Sequence, residues 1–510
     1  MLEKSKCVIA IAALLVGTQV VADNRAEFEQ WMKQETQNYQ EYRDKRDKEF
    51  TNFLKMHWKE MKTFQGVKRD PTPKPVDMPV APPRPEPKPE PLPLTPVPEP
   101  DAPIKQPSAK TPPVQPEPPV VVVPPIEPVP EKPVVKPMPA PPAPSGKTIS
   151  INFFGQSLRF SYDPKLKVNL NSRLDEKAMS DYWSSVSRAS YEPLLKQIEA
   201  QREPLQLNDW AYAMLVHEVA SQIYPQRNNE RAMLSWFIMT KAGYNARIAY
   251  DSRRVYLLLP SQQQLFAAPY FTFDNVRYYA LGFDGKKQQL GRVFTYDGQY
   301  PGASKRLDMR LTHALNTLRS ENNRALKFSY NGKTYSVRVA YDKETVRFFE
   351  TYPQMDIRLY FTADVNRATG NPILQQLKTI VEGQSEKDAV NILLRFVQTA
   401  FKYKTDEGQF GTENYLFPEE TLYYPYSDCE DRSVFFAWLV RNLLGLEVVG
   451  LDYPGHIATA VKFRENVAGD AIRYNNQRYV IADPTYINAR AGMTMPQYRN
   501  KSPGVIDFKI

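Results

Sequence analysis

Cysteine and histidine are scarce in this chain of 510 residues, which contains 2 cysteines and 4 histidines. Cys7 lies in an N-terminal segment that we expect to be removed on export, so Cys429 would be the only thiol of the mature protein. A disulfide within the mature chain is thereby excluded. Exported proteins usually pair their thiols, so an unpaired cysteine indicates a chemical role for that residue.

Long apolar runs are also lacking, apart from the stretch between Val8 and Val21. Two lysines precede this stretch, and Ala22 supplies the small residue that a signal peptidase requires. The run is shorter than the roughly 20 residues that span a bilayer. We therefore predict a signal peptide at residues 1–22, with an uncleaved anchor as the alternative, and a periplasmic or secreted protein without a transmembrane helix in its mature chain.

Concentrated positive charge is a third absence. The formal net charge of +9 is spread along the chain among interleaved acidic residues. Zinc-finger spacing, RNA-binding motifs and blocks of lysine and arginine are missing from the sequence. These absences argue against nucleic acid as a partner.

Residues 23–66 carry an apolar pair at every eleventh position. The pairs are Phe28/Trp31, Tyr39/Tyr42, Phe50/Phe53 and Met61/Phe64. Eleven residues correspond to three helical turns, so the repeat predicts one amphipathic helix that could enter a coiled coil. Three uses of its apolar face stay open, namely packing on its own globular domain, self-association or docking on an envelope partner, and binding to a membrane surface.

Residues 70–146 hold 31 of the 46 prolines. Proline cannot continue a helix or enter the interior of a sheet, so we predict an extended, disordered linker. Its composition resembles that of the proline-rich arms that span the periplasm in TonB-type proteins.

The remaining sequence contains weak similarities that recur in the same order. Hairpin patterns around Gly155 and Gly332 are each followed by a Tyr-Asp pair, and two helices that end at Gly243 and Gly445 each lead into an apolar strand. This order predicts two tandem α+β units, at 147–325 and 326–510.

The duplication can be used to compare the candidate catalytic positions. Cys429 corresponds to about Asn228, and His456 corresponds to Arg254 or Val255. Asp483 similarly corresponds to about Gly282. None of these residues supports nucleophilic catalysis, so the first unit is predicted to be a degenerate copy and the second to be catalytic.

In the second unit, a thiol, an imidazole and a carboxylate follow one another along the chain. Ser427 or Asp428 is expected to cap a helix that begins at Cys429, and the helix dipole would lower the pKa of the thiol there. His456 is expected to begin a strand, and Asp483 to follow the next one. Adjacent strands would place the carboxylate beside the imidazole, which forms the arrangement of a Cys-His-Asp triad.

Residues 385–496 resemble the transglutaminase-like superfamily, including the bacterial transglutaminase-like cysteine proteinases. The resemblance rests on a helix at 388–403 and on the motifs Leu416-Phe417-Pro418, Asp428-Cys429, Gly455-His456 and Asp483-Pro484. It implies a papain-like α+β fold with Cys429, His456 and Asp483 as catalytic residues. It also implies calcium as an option beside the cysteine, at Asp428 and Glu430, although helix capping is an alternative use of these carboxylates. The backbone N–H of Cys429 and the side chain of Tyr426 are candidate oxyanion donors.

These observations favour an exported thiol-dependent acyl enzyme, most simply a cysteine peptidase or amidase that acts on protein or on cell-wall peptide. A protein cross-linking transglutaminase is the second enzymatic hypothesis. A non-catalytic envelope scaffold that binds peptide is the third. No cofactor other than the optional calcium is expected, and the expected partners are a peptide substrate and whatever binds the amphipathic helix.

Overall fold

The computed structural model describes seven parts of the chain, with gaps between them. These parts are residues 23–66, 74, 78–82, 146–170, 173–283, 288–317 and 321–508. The predicted signal peptide and most of the predicted proline-rich linker lie outside the described residues.

Helices and strands both contribute widely to the described residues. The helices are α1 (Asp23–Phe53), α2 (Glu176–Ser187), α3 (Glu192–Glu199), α4 (Arg202–Leu205), α5 (Asp209–Ile223), α6 (Asn228–Lys241), α7 (Lys343–Phe349), α8 (Ile357–Thr362), α9 (Arg367–Val381), α10 (Glu386–Ala400), α11 (Asp406–Phe410), α12 (Pro418–Tyr423) and α13 (Cys429–Leu444). Short 3-10 turns occur at Pro164–Leu166 and Pro496–Tyr498.

The strands begin in the N-terminal region and continue to the last described residues. They are β1 (Trp58–Lys62), β2 (Lys147–Phe153), β3 (Gln156–Tyr162), β4 (Arg247–Tyr250), β5 (Val255–Pro260), β6 (Tyr270–Phe273), β7 (Val276–Ala280), β8 (Arg292–Tyr296), β9 (Glu321–Tyr330), β10 (Lys333–Asp342), β11 (Lys402–Tyr403), β12 (Tyr426–Ser427), β13 (Glu447–Tyr453), β14 (His456–Lys462), β15 (Ala471–Tyr474), β16 (Gln477–Ala482) and β17 (Gly504–Ile506).

Two antiparallel sheets dominate the fold, and apart from β1 the strands of the first follow the same order as the strands of the second. The first sheet has the order β1-β8-β4-β5-β7-β6, and the second has β17-β13-β14-β16-β15. Helix α6 leads directly into the first of these sheets, and α13 leads directly into the second. The hairpins β2–β3 and β9–β10 are present as separate two-stranded sheets. The fold is therefore mixed α and β, and the predicted boundary between residues 325 and 326 falls inside β9.

The central strands of both sheets are apolar along nearly their whole length because both of their faces are covered. Every residue of β5 is buried, and β14 is buried except at its last residue, Lys462. Helix α13 packs against β14 on one face of the second sheet. A cluster that includes Leu451, Tyr479 and Met495 covers the other face. This layering places the first residues of α13 and of β14 in the buried interior.

Helix α1 ends at Phe53, so the prediction of one continuous helix through residue 66 is wrong. Residues Trp58–Lys62 form β1, which pairs antiparallel with β8 and completes the edge of the first sheet. The hydrogen bonds that this edge offers override the helical repeat at Met61. At the end of α1, Phe50 is buried against Trp183, with 4.7 Å between ring centroids. The exposed aromatic residues of this helix are Phe28, Trp31, Tyr39 and Tyr42.

The beginning of the proline-rich segment packs on the second sheet's cluster, although a spacer was predicted there. The Ala81 N–H donates to the carbonyl of Ile487 over 2.8 Å, and the Ile487 N–H donates to the carbonyl of Pro79 over 3.1 Å. The Ala81 side chain is buried in the same cluster as Tyr453 and Tyr498. Ladder-like hydrogen bonds and apolar burial therefore hold residues 79–81.

Among the described residues, the helices are either too short or too polar to cross a bilayer.

Candidate functional site

Cys429 is the first residue of α13, and its side chain is completely buried. Asp428 occupies the N-cap position, and its N–H donates to Oδ2 of Asp431 over 3.2 Å. The helix ends at Leu444, and Gly445 caps it with a φ of 62°, the left-handed conformation that glycine adopts readily. The thiol thus sits at the helix start that the sequence predicts.

His456 and Asp483 form a hydrogen-bonded pair. His456 opens β14, and Asp483 follows the last residue of β16, which is the neighbouring strand. Nε2 of His456 lies 2.9 Å from Oδ2 of Asp483. Nδ1 of His456 is buried and has no hydrogen-bond partner in the described part of the chain. This second nitrogen is therefore available to a reacting group.

The carboxylate of Asp483 is itself held in place. Its Oδ1 accepts backbone N–H groups from Thr485 at 2.8 Å and from Tyr486 at 3.2 Å. Gln398 of α10 donates through Nε2 to the carbonyls of Asp483, Tyr486 and Ala489, at 3.2, 2.8 and 3.0 Å. The orientation of Asp483 is thus built into its loop, and the loop is fastened to a helix.

The imidazole of His456 is also packed against an aromatic ring. Tyr498 stacks on it with 5.2 Å between centroids and 10° between planes. Tyr453 packs against Tyr498, with 4.8 Å between the ring centroids. One turn along α13, Oγ of Ser433 donates over 3.0 Å to the carbonyl of Ile457, which is the residue after His456. These contacts bring the start of α13 and the start of β14 together.

Four carboxylates surround one ammonium group beside Cys429, and we call them the carboxylate ring. Nζ of Lys74 lies 2.6 Å from Asp428, 2.8 Å from Glu430, 2.8 Å from Glu413 and 3.4 Å from Asp406. The other carboxylate oxygen of Glu430 accepts from Sγ of Cys429 over 2.9 Å. The ring therefore touches the thiol directly.

The charges of the ring shift the protonation of its members. Burial and the neighbouring Glu430 raise the pKa of Asp428 to about 7. Burial and Asp428 likewise raise the pKa of Asp406 well above the usual range, and they do the same for Asp431, which lies beside the ring. Burial alone disfavours the ammonium of Lys74, but Glu430 and Asp428 outweigh it and raise the pKa of Lys74. The ring thus contains more carboxyl groups than one ammonium can neutralise, and the raised pKa values reflect their mutual repulsion.

This charge reverses the expectation for Cys429. Burial, Glu430 and Asp428 raise the pKa of the thiol well above its usual value. The helix dipole alone would lower this pKa, but adjacent carboxylates act more strongly on the thiolate than a helix terminus does. The prediction of a lowered thiol pKa at the helix start is therefore wrong for this structure, in which Lys74 occupies the ring.

An open cavity of about 570 Å³ leads to this site. It is lined by Glu413, Glu430, His456 and Tyr453, with Lys74 at its edge. The cavity gives a peptide-sized ligand access to His456 and to Glu430, the residue that follows Cys429.

Several residues of the site could not be predicted from the motifs. Lys74 lies in the proline-rich segment, and Asp406 and Glu413 precede the Asp428-Cys429 motif without a recognisable spacing. The acidic pair Asp428 and Glu430 was recognisable because it flanks the cysteine. The proposed oxyanion residue Tyr426 lies in β12 with Nζ of Lys404 5.3 Å from its ring centroid, and this contact does not define an oxyanion site.

Comparisons of the chain with models of protein families, with curated proteins and with solved structures returned no match. The function must therefore be argued from the geometry of the site.

Proposed function

We propose that this chain is an exported thiol-dependent acyl enzyme with a papain-like, transglutaminase-like α+β fold in its second half. Its triad would be Cys429, His456 and Asp483. The observation that carries the proposal is the difference between the two ring nitrogens of His456. Nε2 is hydrogen-bonded to Asp483, whereas the buried Nδ1 has no hydrogen-bond partner among the described residues. A purely structural histidine usually has both of its ring nitrogens satisfied when it is buried.

The chemistry follows from this arrangement. Nδ1 of His456 would take the proton of the Cys429 thiol, and the thiolate would attack an acyl carbon of the substrate. Asp483 would hold the imidazole in position and stabilise the imidazolium. The imidazolium would then protonate the leaving amine, and water would release the acyl group from sulfur. The reaction is the hydrolysis of a peptide or amide bond in protein or cell-wall peptide.

The carboxylate ring suits a divalent cation, and calcium is the ion that the family resemblance implies. Oxygen donors from several carboxylates are the ligands that calcium prefers, and Oδ1 of Asp428 is buried without a partner in the described residues. Asp406, Asp428, Glu413 and Glu430 would hold the ion. A bound divalent ion would supply positive charge that favours the neighbouring thiolate. Lys74 now occupies the point on which these oxygens converge.

Acyl transfer to an amine is a second candidate reaction, and one observation favours it. The ring accepts the lysine ammonium of Lys74 next to Glu430, whose carboxylate contacts the thiol of Cys429. A lysine side chain of a substrate could approach the same place and accept the acyl group instead of water. The product would be a cross-link.

Incubation with a peptide library tests these proposals. The chain is compared with Cys429→Ser, and product masses are recorded with and without a primary amine and with and without calcium. Cleaved peptides that depend on Cys429 support hydrolysis, and amine-adducted peptides support transfer. If neither product exceeds the Cys429→Ser background in any buffer, the enzymatic proposal is wrong and the scaffold hypothesis gains support.

We further propose that the two sheets are tandem copies, of which only the second is catalytic. The shared strand order and the matching positions of α6 and α13 support this relationship. Asn228 begins α6 where Cys429 begins α13, and Val255 begins β5 where His456 begins β14.

A further inference from the structure

The first sheet has a cleft of its own at the position that corresponds to the catalytic site. Asn228, Val255 and Gly282, which correspond to the three triad residues, all line one open cavity of about 1110 Å³. They cannot form a nucleophile-base pair, because none of them is titratable near neutral pH. The cleft has therefore been retained while the catalytic groups are absent from these positions.

The walls of this cavity, which we call the arginine cleft, are rich in guanidinium groups. Its charged residues are Arg227, Arg231, Arg253, Arg254, Glu218 and Glu230. Arg227 forms an ion pair with Glu230, which leaves a cationic excess at the other arginines. Burial raises the pKa of Glu218.

Arg253 and Arg254 are presented by an ordered turn. Oδ1 of Asp251 accepts both of their backbone N–H groups, at 2.7 and 2.8 Å. The Asn229 side chain connects the turn to the start of α6, since it donates to the carbonyl of Arg253 over 3.1 Å and accepts the N–H of Val255 over 2.9 Å. These hydrogen bonds hold the backbone of the turn. The two arginine side chains are exposed on it and line the cavity.

The two clefts carry opposite charges. The catalytic cavity is lined by Asp356, Glu413, Glu430 and Asp452, with Lys74 as its single lysine or arginine. The arginine cleft also has an aromatic wall, because Phe283 stacks on His217 at 4.7 Å and on Trp210 at 5.1 Å. Its volume exceeds that of a site for a single small anion, and amide side chains such as Gln226 and Asn228 can bind a peptide backbone.

We propose that the arginine cleft is a non-catalytic binding site for a peptide segment that carries aspartate and glutamate side chains. The proposal rests on the proposed function, because the segment would belong to a protein whose scissile bond is processed at Cys429. Arg253 and Arg254 bind the carboxylates of the segment, and the aromatic wall packs against its apolar groups. The first unit thereby selects substrates that the acidic catalytic cavity alone would repel.

Binding can be measured without catalysis. A fluorescent peptide of alternating glutamate and alanine is titrated with the full chain carrying Cys429→Ala, by fluorescence anisotropy at low ionic strength. The double variant Arg253→Glu with Arg254→Glu is compared with the matched double variant Arg159→Glu with Arg188→Glu, whose arginines are exposed elsewhere on the first unit. The cleft variant should bind at least about tenfold more weakly, because two attractive charges become repulsive, while the control should bind as the parent does.

Two further probes define the ligand class. Inorganic phosphate and a lysine-alanine peptide of the same length should each compete poorly with the acidic peptide. Equal affinity of the parent and the cleft variant would overturn the proposal, as would phosphate displacing the peptide at equal concentration. Because Cys429 is absent from all of these proteins, failure here is distinguishable from failure of the catalytic proposal, which the peptide library tests separately.

Discussion

Nε2 of His456 lies 2.9 Å from Oδ2 of Asp483, and the same carboxylate receives two backbone N–H groups through its other oxygen. A carboxylate fixed in this way sets the tautomer of the imidazole, with the proton on Nε2 and a lone pair on Nδ1. The pair thus defines which nitrogen can serve as a base toward Cys429.

Asp483→Asn should preserve the fold and reduce activity. The amide can still accept the backbone hydrogen bonds through its oxygen, but its NH2 group would face Nε2 and favour the wrong tautomer of His456. We expect kcat/KM to fall by about 100-fold or more, by analogy with the cost of losing an orienting carboxylate. Steady-state kinetics on the best library peptide measure the change. An unaltered kcat/KM together with an unaltered thermal midpoint would remove Asp483 from the mechanism.

Lys74→Met should destabilise the chain in the absence of divalent ions. It removes the ammonium from three buried carboxylates and the half-buried Glu413, and leaving a buried charge without its partner typically costs about 3–5 kcal/mol. Because Nζ of Lys74 occupies the point that a cation would fill, the same variant should bind calcium more tightly than the parent.

Isothermal titration with calcium measures the affinity, and urea unfolding measures the stability. Lys402→Met is a suitable control, because Lys402 is exposed on β11. If the parent and Lys74→Met bind calcium with the same affinity, Lys74 does not occupy the position of the cation.

Glu420→Gln should change how stability depends on pH. Burial raises the pKa of Glu420 from its ordinary 4.5 to about 8, and Oε2 of this residue accepts the N–H of Phe417 at the start of α12 over 2.9 Å. Between these two pKa values the folded state therefore keeps a proton that the unfolded state has already released. The stabilising contribution is complete below the unfolded pKa and is lost as the pH rises toward about 8.

The glutamine keeps the acceptor oxygen and cannot ionise. The thermal midpoint of the parent should decline from mildly acidic to mildly alkaline buffers. We expect a smaller decline for Glu420→Gln, which should be more stable than the parent at the alkaline end. Glu407→Gln, on the exposed face of α11, should leave that decline as it is in the parent. Parallel midpoint curves for the parent and Glu420→Gln would show that Glu420 does not titrate in this range.

Tyr498→Ala should weaken catalysis more than it weakens substrate binding. The ring stacks on His456 and limits the rotation of the imidazole, so its loss should lower kcat with a smaller effect on KM. Tyr498→Phe keeps the stacking surface and should retain most of the activity. If both variants lose activity equally, the hydroxyl rather than the ring is the important group.

The local parts of the site could be predicted from the sequence because they depend on neighbouring residues. The helix start at Cys429, the strand start at His456 after a Pro-Gly turn and the strand end before Asp483 are all short-range features. Lys74 could not be predicted in this way, since it is separated by hundreds of residues from the carboxylates that it contacts and lies in a segment whose composition indicates only a linker.

The same distinction explains the errors of the sequence interpretation. The helical repeat of the N-terminal segment is real through Phe53, but β1 forms because an edge of the first sheet is available, and that edge is built by residues more than 200 positions away. The pKa of Cys429 was misjudged for a similar reason. The dipole of α13 is evident from the local pattern, whereas the complete burial of the thiol, which is the largest cause of its raised pKa, depends on tertiary packing.

The central claim is that His456 activates Cys429, and the rate of alkylation of this thiol tests it most directly. Iodoacetamide is reacted with the chain and with His456→Ala at neutral pH, both with and without millimolar calcium. Peptide mapping assigns the label to Cys429 rather than Cys7. The account predicts that labelling of Cys429 is fastest with calcium present and falls at least about tenfold in His456→Ala under that condition. Identical slow labelling of the two proteins in both buffers would contradict it.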